Sequence, residues 1–179
     1  MSKYDLRNGI QVVIKQPTTD DAEAIIDYSK ALFASTDQLL TSLEEYDITI
    51  DAEKQWIRNL NNNPNAFLRV AVLNGEIVGM LFFVPNTKKK NKHTGEFGVN
   101  VSDKHQGQGI GKILVETLLD WARENPHIEK VYLEVFATNK RAIDLYGKLG
   151  FIQEGRYRNA VKQSTGEYVD VIRMCIETK

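Results

Sequence analysis

The sequence has little of three things that mark particular classes of protein. It contains one cysteine, Cys175, so no internal disulfide can form, which is typical of a reducing, cytoplasmic compartment. Its apolar runs are too short to span a bilayer, and the N-terminus lacks the apolar region of a signal peptide. A formal net charge of −1 gives no basic surface for nucleic acid or an anionic membrane. We therefore expect a cytoplasmic protein with no nucleic-acid and no membrane partner.

Metal-ligand spacing is also absent. The three histidines, His93, His105 and His127, do not match the spacing of a zinc site, so no metal is predicted. With 42% hydrophobic residues, the 179-residue chain can bury a sizeable core. It shows no internal repeat and no linker, and we expect a single domain over residues 1–179.

Hydrophobic periodicity predicts a chain of the α/β (α+β) type. Alternation and short apolar runs indicate strands at residues 10–15, 67–73, 77–84, 96–101, 131–136, 151–157 and 169–177. Helical spacing indicates helices at residues 17–33 and 51–60, and further helices starting near residues 110 and 139. Asn74 and Gly75 favour a two-residue hairpin turn. The pattern predicts a mixed, mostly antiparallel sheet of about six to seven strands flanked by about four helices.

The most informative segment is residues 99–112, where an apolar strand, a glycine-rich loop and an amphipathic helix follow one another. This arrangement directs backbone N–H groups and the positive end of a helix dipole at one point, where we expect a pyrophosphate. The segment fails the P-loop pattern, because Gln106 replaces its first glycine and Ile113 replaces its Ser or Thr. It fails the dinucleotide pattern as well, because Lys112 replaces the third glycine.

A second informative segment follows about thirty residues later. Strand 131–136 leads to Asn139, a good helix N-cap, and Gly150 is placed to end the helix before Phe151. The two motifs are Gln106-x-x-Gly109-x-Gly111 and Asn139-x-x-Ala142-Ile143-x-x-Tyr146-x-x-x-Gly150-Phe151.

Together these motifs resemble the acyl-CoA pyrophosphate loop and the second signature of the GNAT superfamily of N-acyltransferases. The resemblance is strong over residues 96–151 and weaker to about residue 177. It is nearest to the bacterial branch of ribosomal-protein N-terminal and broad-specificity amino-acid N-acetyltransferases. It implies a GNAT fold, acetyl-CoA as co-substrate, and direct transfer of acetyl to a primary amine. Many relatives pair through their late strands, which implies a homodimer as one assembly open to this chain.

The resemblance also implies residue roles. Tyr146 stands where the superfamily has a general acid for the leaving thiolate, and Glu134 stands where protein-N-terminal acetyltransferases have their base. Glu96, on the neighbouring strand, is a second candidate base, and either carboxylate could act through water. The backbone of residues 99–101 would pair with pantetheine, and the loop would hold the pyrophosphate. The cofactor-binding residues implied are Val99, Asn100, Val101, Gln106, Gly107, Gln108, Gly109, Ile110, Gly111, Lys112, Asn139 and Tyr146.

The sequence does not identify the acceptor amine. Six acids and no lysine or arginine lie between Ala31 and Glu53, which would suit a wall for a cationic acceptor such as a polyamine, or a solvated surface. Amino acids, other small amines and protein N-termini also fit the predicted chemistry. A non-catalytic acyl-CoA sensor is the alternative from another class, and a nucleotide-binding protein is a weaker one. The presence of Glu134, Asn139 and Tyr146 together favours an enzyme.

Overall fold

A computed structural model describes residues 1–6 and 9–179, which form an eight-stranded sheet with helices on both faces. The strands are β1 (Ser2–Asp5), β2 (Gln11–Lys15), β3 (Phe67–Leu73), β4 (Glu76–Pro85), β5 (Thr94–Val101), β6 (Lys130–Phe136), β7 (Ile152–Lys162) and β8 (Tyr168–Glu177). The α-helices are α1 (Ala22–Ser35), α2 (Ile50–Asn62), α3 (Ile110–Glu124) and α4 (Lys140–Lys148). The strand order is β1-β2-β3-β4-β5-β6-β8-β7, antiparallel throughout except for the parallel pair β5 and β6.

The predicted fold class is confirmed, with one more strand than expected. Strand β1 was missed because Ser2–Asp5 is a short, polar edge strand with no apolar alternation to reveal it. The first helix also starts later than predicted, because Thr19–Asp21 forms a 3₁₀ turn, with Asp21 bonded back to the N–H of Thr18, before α1 begins at Ala22. The hairpin turn is as predicted, with positive φ at Asn74 (52°) and Gly75 (88°).

Each face of the sheet carries its own apolar core. Helices α3 and α4 pack on one face, here called the α3/α4 face, against residues that include Leu81, Phe97 and Leu133. Helices α1 and α2 pack on the other, the α1/α2 face, against residues that include Val70 and Met80. Because side chains alternate along a strand, the neighbours of Phe97 and Leu133 point to the α1/α2 face.

Strands β5 and β6 separate after a short paired stretch. Their pairing joins Thr94–Glu96 to Lys130–Tyr132, whereas the two strands run on to Val101 and Phe136. Beyond the paired stretch the ladder is open, which leaves a gap in the middle of the sheet, here called the β5–β6 gap.

Two features are not found in the described part of the chain. Within residues 1–6 and 9–179, no helix is both long and apolar enough to cross a membrane. The same residues contain no group of three or more His, Cys, Asp or Glu arranged to hold a metal ion.

Candidate active site

The glycine loop has the backbone geometry of an anion site. Gly107 and Gly109 have φ values of 84° and 100°, in the left-handed region that other residues rarely adopt. Gly109 is the N-cap of α3, and the first turn of that helix leaves backbone N–H groups without intrahelical acceptors. Successive N–H groups of this kind form a concave site for a phosphate or pyrophosphate.

The side chain of Gln106 holds this loop in place through three hydrogen bonds. Its Nε2 donates to Asp103 Oδ1 at 2.7 Å and to the carbonyl of Val101 at 3.3 Å, and its Oε1 accepts from Arg141 Nη1 at 3.0 Å. The Arg141 guanidinium also borders Gly107, where an added Cβ would lie 3.3 Å from Nη2. Sequence reasoning missed Arg141, which sits at an unspecified position of the second motif. The available signal was a cation in the first turn of α4, directly after the cap.

A cavity of about 900 Å³ lies along the loop and the open end of β5. All of the predicted cofactor-binding residues line it, from Val99 to Lys112 along the loop segment and Asn139 and Tyr146 on the α4 side. The volume lies within the range of small-molecule and cofactor pockets, roughly 300–1,000 Å³. The fold thus joins the two motifs of the sequence around one space.

Tyr146 lies on the α3/α4 face at the inner end of this cavity. It is only 6% exposed, and its ring packs against Phe97 and Phe151 with centroid distances of 6.0 and 5.8 Å. Burial raises the pKa of Tyr146 well above that of a free phenol, so the side chain is protonated at neutral pH.

Two other predicted residues in the cavity have structural partners. Asn139 caps α4, its Oδ1 accepting from the Ala142 N–H at 3.1 Å. Lys112 forms an ion pair of 2.9 Å with Glu116, one turn further along α3, and both side chains are about half-exposed. Asn139 is therefore held in place, whereas Lys112 adds only a general positive charge beside the loop.

The two candidate bases lie on the α1/α2 face, opposite to Tyr146. Glu96 and Glu134 are exposed on β5 and β6, and neither lines the cavity. Partial burial and the nearby charge of Glu134 raise the pKa of Glu96, while Arg173 opposes the shift. The charge of Glu134 acts on Glu96, so the two carboxylates lie near each other, on the face of the sheet opposite to Tyr146.

Asn100 lies at the junction between the cavity and the α1/α2 face. Its Oδ1 accepts a 2.7 Å hydrogen bond from the buried Tyr28 hydroxyl of α1. This bond ties α1 to the open end of β5 and sets the direction of the Asn100 amide.

The segment between α1 and α2 borders the cavity with uncharged residues and not with its acids. Thr36, Gln38 and Leu39 line the cavity, and none of the six acids does. Gln38 Oε1 accepts a 3.1 Å hydrogen bond from Thr138, and the carbonyl of Asp37 accepts one of 3.2 Å from Gln163. These two bonds hold the segment beside the cavity. The six acids therefore do not line this cavity, and an acidic wall around the acceptor stays a prediction.

Comparisons with known proteins agree with this fold. The family model described as the acetyltransferase (GNAT) family matches residues 31–151. An acetyltransferase of the GNAT family from Streptococcus pneumoniae has the same fold, with a TM-score of 0.90 and 22% identity over 93% of this chain and 99% of that one. YncA from Salmonella typhimurium, solved with its cofactor acetyl-CoA, has a TM-score of 0.82 and 22% identity over 94% of each chain.

Two curated relatives extend the comparison to sequence. The L-amino acid N-acetyltransferase AaaT of Escherichia coli is 26% identical over 92% of this chain and 96% of its own. The spermidine N(1)-acetyltransferase of Escherichia coli is 31% identical over 74% of this chain and 69% of its own. With the family model matched over more than half of the sequence, this chain belongs to the acetyltransferase (GNAT) family, as its two motifs predict.

Proposed function

We propose that this acetyl-CoA-dependent N-acetyltransferase transfers acetyl directly to a primary amine, without a covalent acyl-enzyme. The observation that carries the proposal is the cavity that the glycine loop, the open end of β5 and Tyr146 line together. The two carboxylates, Glu96 and Glu134, lie outside this lining on the other face of the sheet. Acetyl-CoA enters from the loop side and the amine from the carboxylate side, so both are bound at once.

The cofactor lies along three features of the chain. The N–H groups of residues 107–112 bind the pyrophosphate, and the Arg141 guanidinium adds a cation beside Gly107. The unpaired edge of β5 at residues 99–101 pairs with the pantetheine amides in the manner of an added strand. This placement directs the thioester toward Tyr146 and the β5–β6 gap.

The reaction then needs two proton movements. The neutral amine attacks the thioester carbonyl, the C–N bond forms, the C–S bond breaks, and the CoA thiolate takes the phenolic proton of Tyr146. Burial of the phenol makes this proton transfer harder, because it raises the pKa of Tyr146. The same apolar surroundings raise the basicity of the departing thiolate, so the two effects offset one another within the cavity.

The proton lost by the amine passes to the carboxylate side. Glu134 is the first candidate base and Glu96 the second, each directly or through a water. Glu96 has a raised pKa, caused first by partial burial and then by Glu134, and a carboxylate with a raised pKa is a better base near neutral pH. Both side chains also suit binding of the incoming ammonium ion.

The acceptor is a small amine, amino acid, polyamine or protein N-terminus, and the named relatives act on amino acids and on spermidine. We further propose that residues 1–179 act as one domain, since one continuous sheet joins β1 to β8. Cytoplasmic location is proposed from the single, buried cysteine. The homodimer is proposed on β7, an edge strand that is exposed along nearly all its length, and light scattering after gel filtration tests it.

The test of function is free-thiol release from acetyl-CoA against a panel of amino acids, polyamines, aminoglycosides and short peptides. We expect release that depends on an amine, and a large loss in kcat for Glu134→Gln. Acetyl-CoA binding without release from any amine would contradict the proposal and favour the non-catalytic sensor.

A further inference from the structure

Arg173 on β8 projects toward the α1/α2 face beside the two carboxylates. It is the register partner of Glu134 across the β6–β8 pair. Its guanidinium carbon lies 3.8 Å from the ring centroid of Tyr132, and its Nε donates to Glu154 Oε2 at 3.2 Å. The side chain is 29% exposed, so the guanidinium is held from two sides and still reaches the surface.

The neighbouring charges are unevenly paired. Glu154 forms ion pairs with both Arg173 and Lys130. By contrast, neither Glu96 nor Glu134 has a cation within 4 Å among residues 1–6 and 9–179. Arg173 thus faces Glu134 across the ladder without pairing with it, and the face carries separate positive and negative positions.

The separation between these positions is short. Tyr132 lies under the Arg173 guanidinium and is the register partner of Glu96 across the paired end of β5 and β6. Neighbouring strands are about 4.8 Å apart, so the cation and the carboxylates are one to two strands from each other. Arginine has five N–H donors in a planar fork, and the contacts with Glu154 and with the Tyr157 hydroxyl leave further donors.

We propose that Arg173 binds a carboxylate of the acceptor while Glu96 and Glu134 hold its amine, which makes the acceptor an α-amino acid. The inference rests on the proposed N-acetyltransferase function and names the substrate class of that site. An α-amino acid carries its ammonium and carboxylate on one carbon, which matches opposite charges on adjacent strands. A polyamine offers Arg173 no anion and brings a second cation toward it.

The experiment compares each amino acid with the same molecule lacking its carboxylate. The pairs are L-leucine with isopentylamine, L-phenylalanine with phenethylamine, and L-histidine with histamine. We expect the wild-type protein to prefer the amino acid in kcat/KM. Arg173→Gln should lower kcat/KM for the amino acids on the order of 10- to 100-fold, mainly through KM, and leave the amines unchanged.

Arg156→Gln is the matched control, because Arg156 is an arginine on the neighbouring strand that is ion-paired with Asp170 at 2.6 Å. It should leave the ratio between amino acid and amine unchanged. Thermal unfolding and acetyl-CoA affinity are measured for both variants, and Arg173→Lys should restore part of the preference.

Three results would separate the ideas. Equal loss with the amino acids and the amines in Arg173→Gln would assign Arg173 a structural role and overturn the inference. A wild-type preference for spermidine that Arg173→Gln leaves intact would overturn it as well. No turnover with any amine would instead contradict the proposed function itself.

Discussion

The two sides of the β5–β6 gap are built in different ways. The cofactor side consists of two short sequence segments, residues 99–112 and 139–151, and it uses backbone N–H groups, two left-handed glycines and one buried phenol. The proposed acceptor side draws Glu96, Glu134 and Arg173 from three strands and would use side-chain charges. We expect the first side to recognise a part of the ligand that does not vary, the pyrophosphate. On the proposed acceptor side, recognition would depend on single side chains, so we expect one substitution there to change acceptor preference without changing the cofactor side.

Removing the Tyr146 hydroxyl should give the largest effect, a loss of catalysis rather than of cofactor binding. Tyr146→Phe keeps the ring contacts with Phe97 and Phe151 and removes the acid. We expect kcat to fall on the order of 10²-fold, while the Kd for acetyl-CoA changes little. Steady-state kinetics and calorimetric binding of CoA check this. A matching loss of CoA affinity would mean that Tyr146 acts in binding rather than in proton transfer.

The second largest effect is expected from adding a side chain at Gly109, which should weaken the binding of acetyl-CoA to the loop. Gly109→Ala forces alanine into φ of 100°, and backbone strain of this kind costs roughly 1–3 kcal/mol. We expect acetyl-CoA to bind about 10- to 30-fold more weakly, as measured by isothermal titration.

Gly147→Ala is the matched control for that variant, because Gly147 lies in α4 and an added Cβ would meet no neighbouring atom there. It should leave CoA affinity unchanged and raise stability by about 0.5–1 kcal/mol. Equal CoA affinity for wild type and Gly109→Ala would contradict the role given to the loop.

Arg141→Ala tests the residue that the motifs did not specify. Loss of an exposed cation beside the pyrophosphate site should weaken CoA binding about 5- to 10-fold, with the effect shrinking as salt is added. Lys140→Ala, one residue earlier, is the control and should have little effect. Similar losses from both substitutions would indicate a general electrostatic field instead of a specific contact.

The smallest expected effect is that of Glu96→Gln on the free energy of unfolding. Because the folded protein raises the pKa of Glu96, its ionisation opposes folding, and this part of the stability is lost as pH rises through the raised pKa. Glu96→Gln should therefore match the wild type well below pH ~4 and be slightly more stable at pH 7. Urea unfolding across pH measures this, with the exposed Glu76→Gln as control. Lower stability of Glu96→Gln at pH 7 would reverse the sign of this argument.

Local patterns predicted most of the fold and the position of the glycine loop. Glycines with positive φ, the cap at Asn139 and the alternation in β6 are properties of neighbouring residues, so the sequence reveals them. Strand β1 was not predicted because its four residues, of which only Tyr4 packs against the core, are placed by pairing with β2. The proposed role of Arg173 was not predicted, because it depends on Tyr132, Glu134 and Glu154. Only the folded sheet brings these residues together with Arg173. For the same reason, the acids at residues 37–53 could not be placed relative to the cavity beforehand.

The most direct test of the central claim is the initial rate of thiol release, measured while acetyl-CoA and an amine are varied together. If the two sides of the β5–β6 gap hold both substrates at once, double-reciprocal plots at several amine concentrations will intersect. Parallel lines, with acetylated protein detectable after acetyl-CoA alone, would show a covalent intermediate and contradict the account.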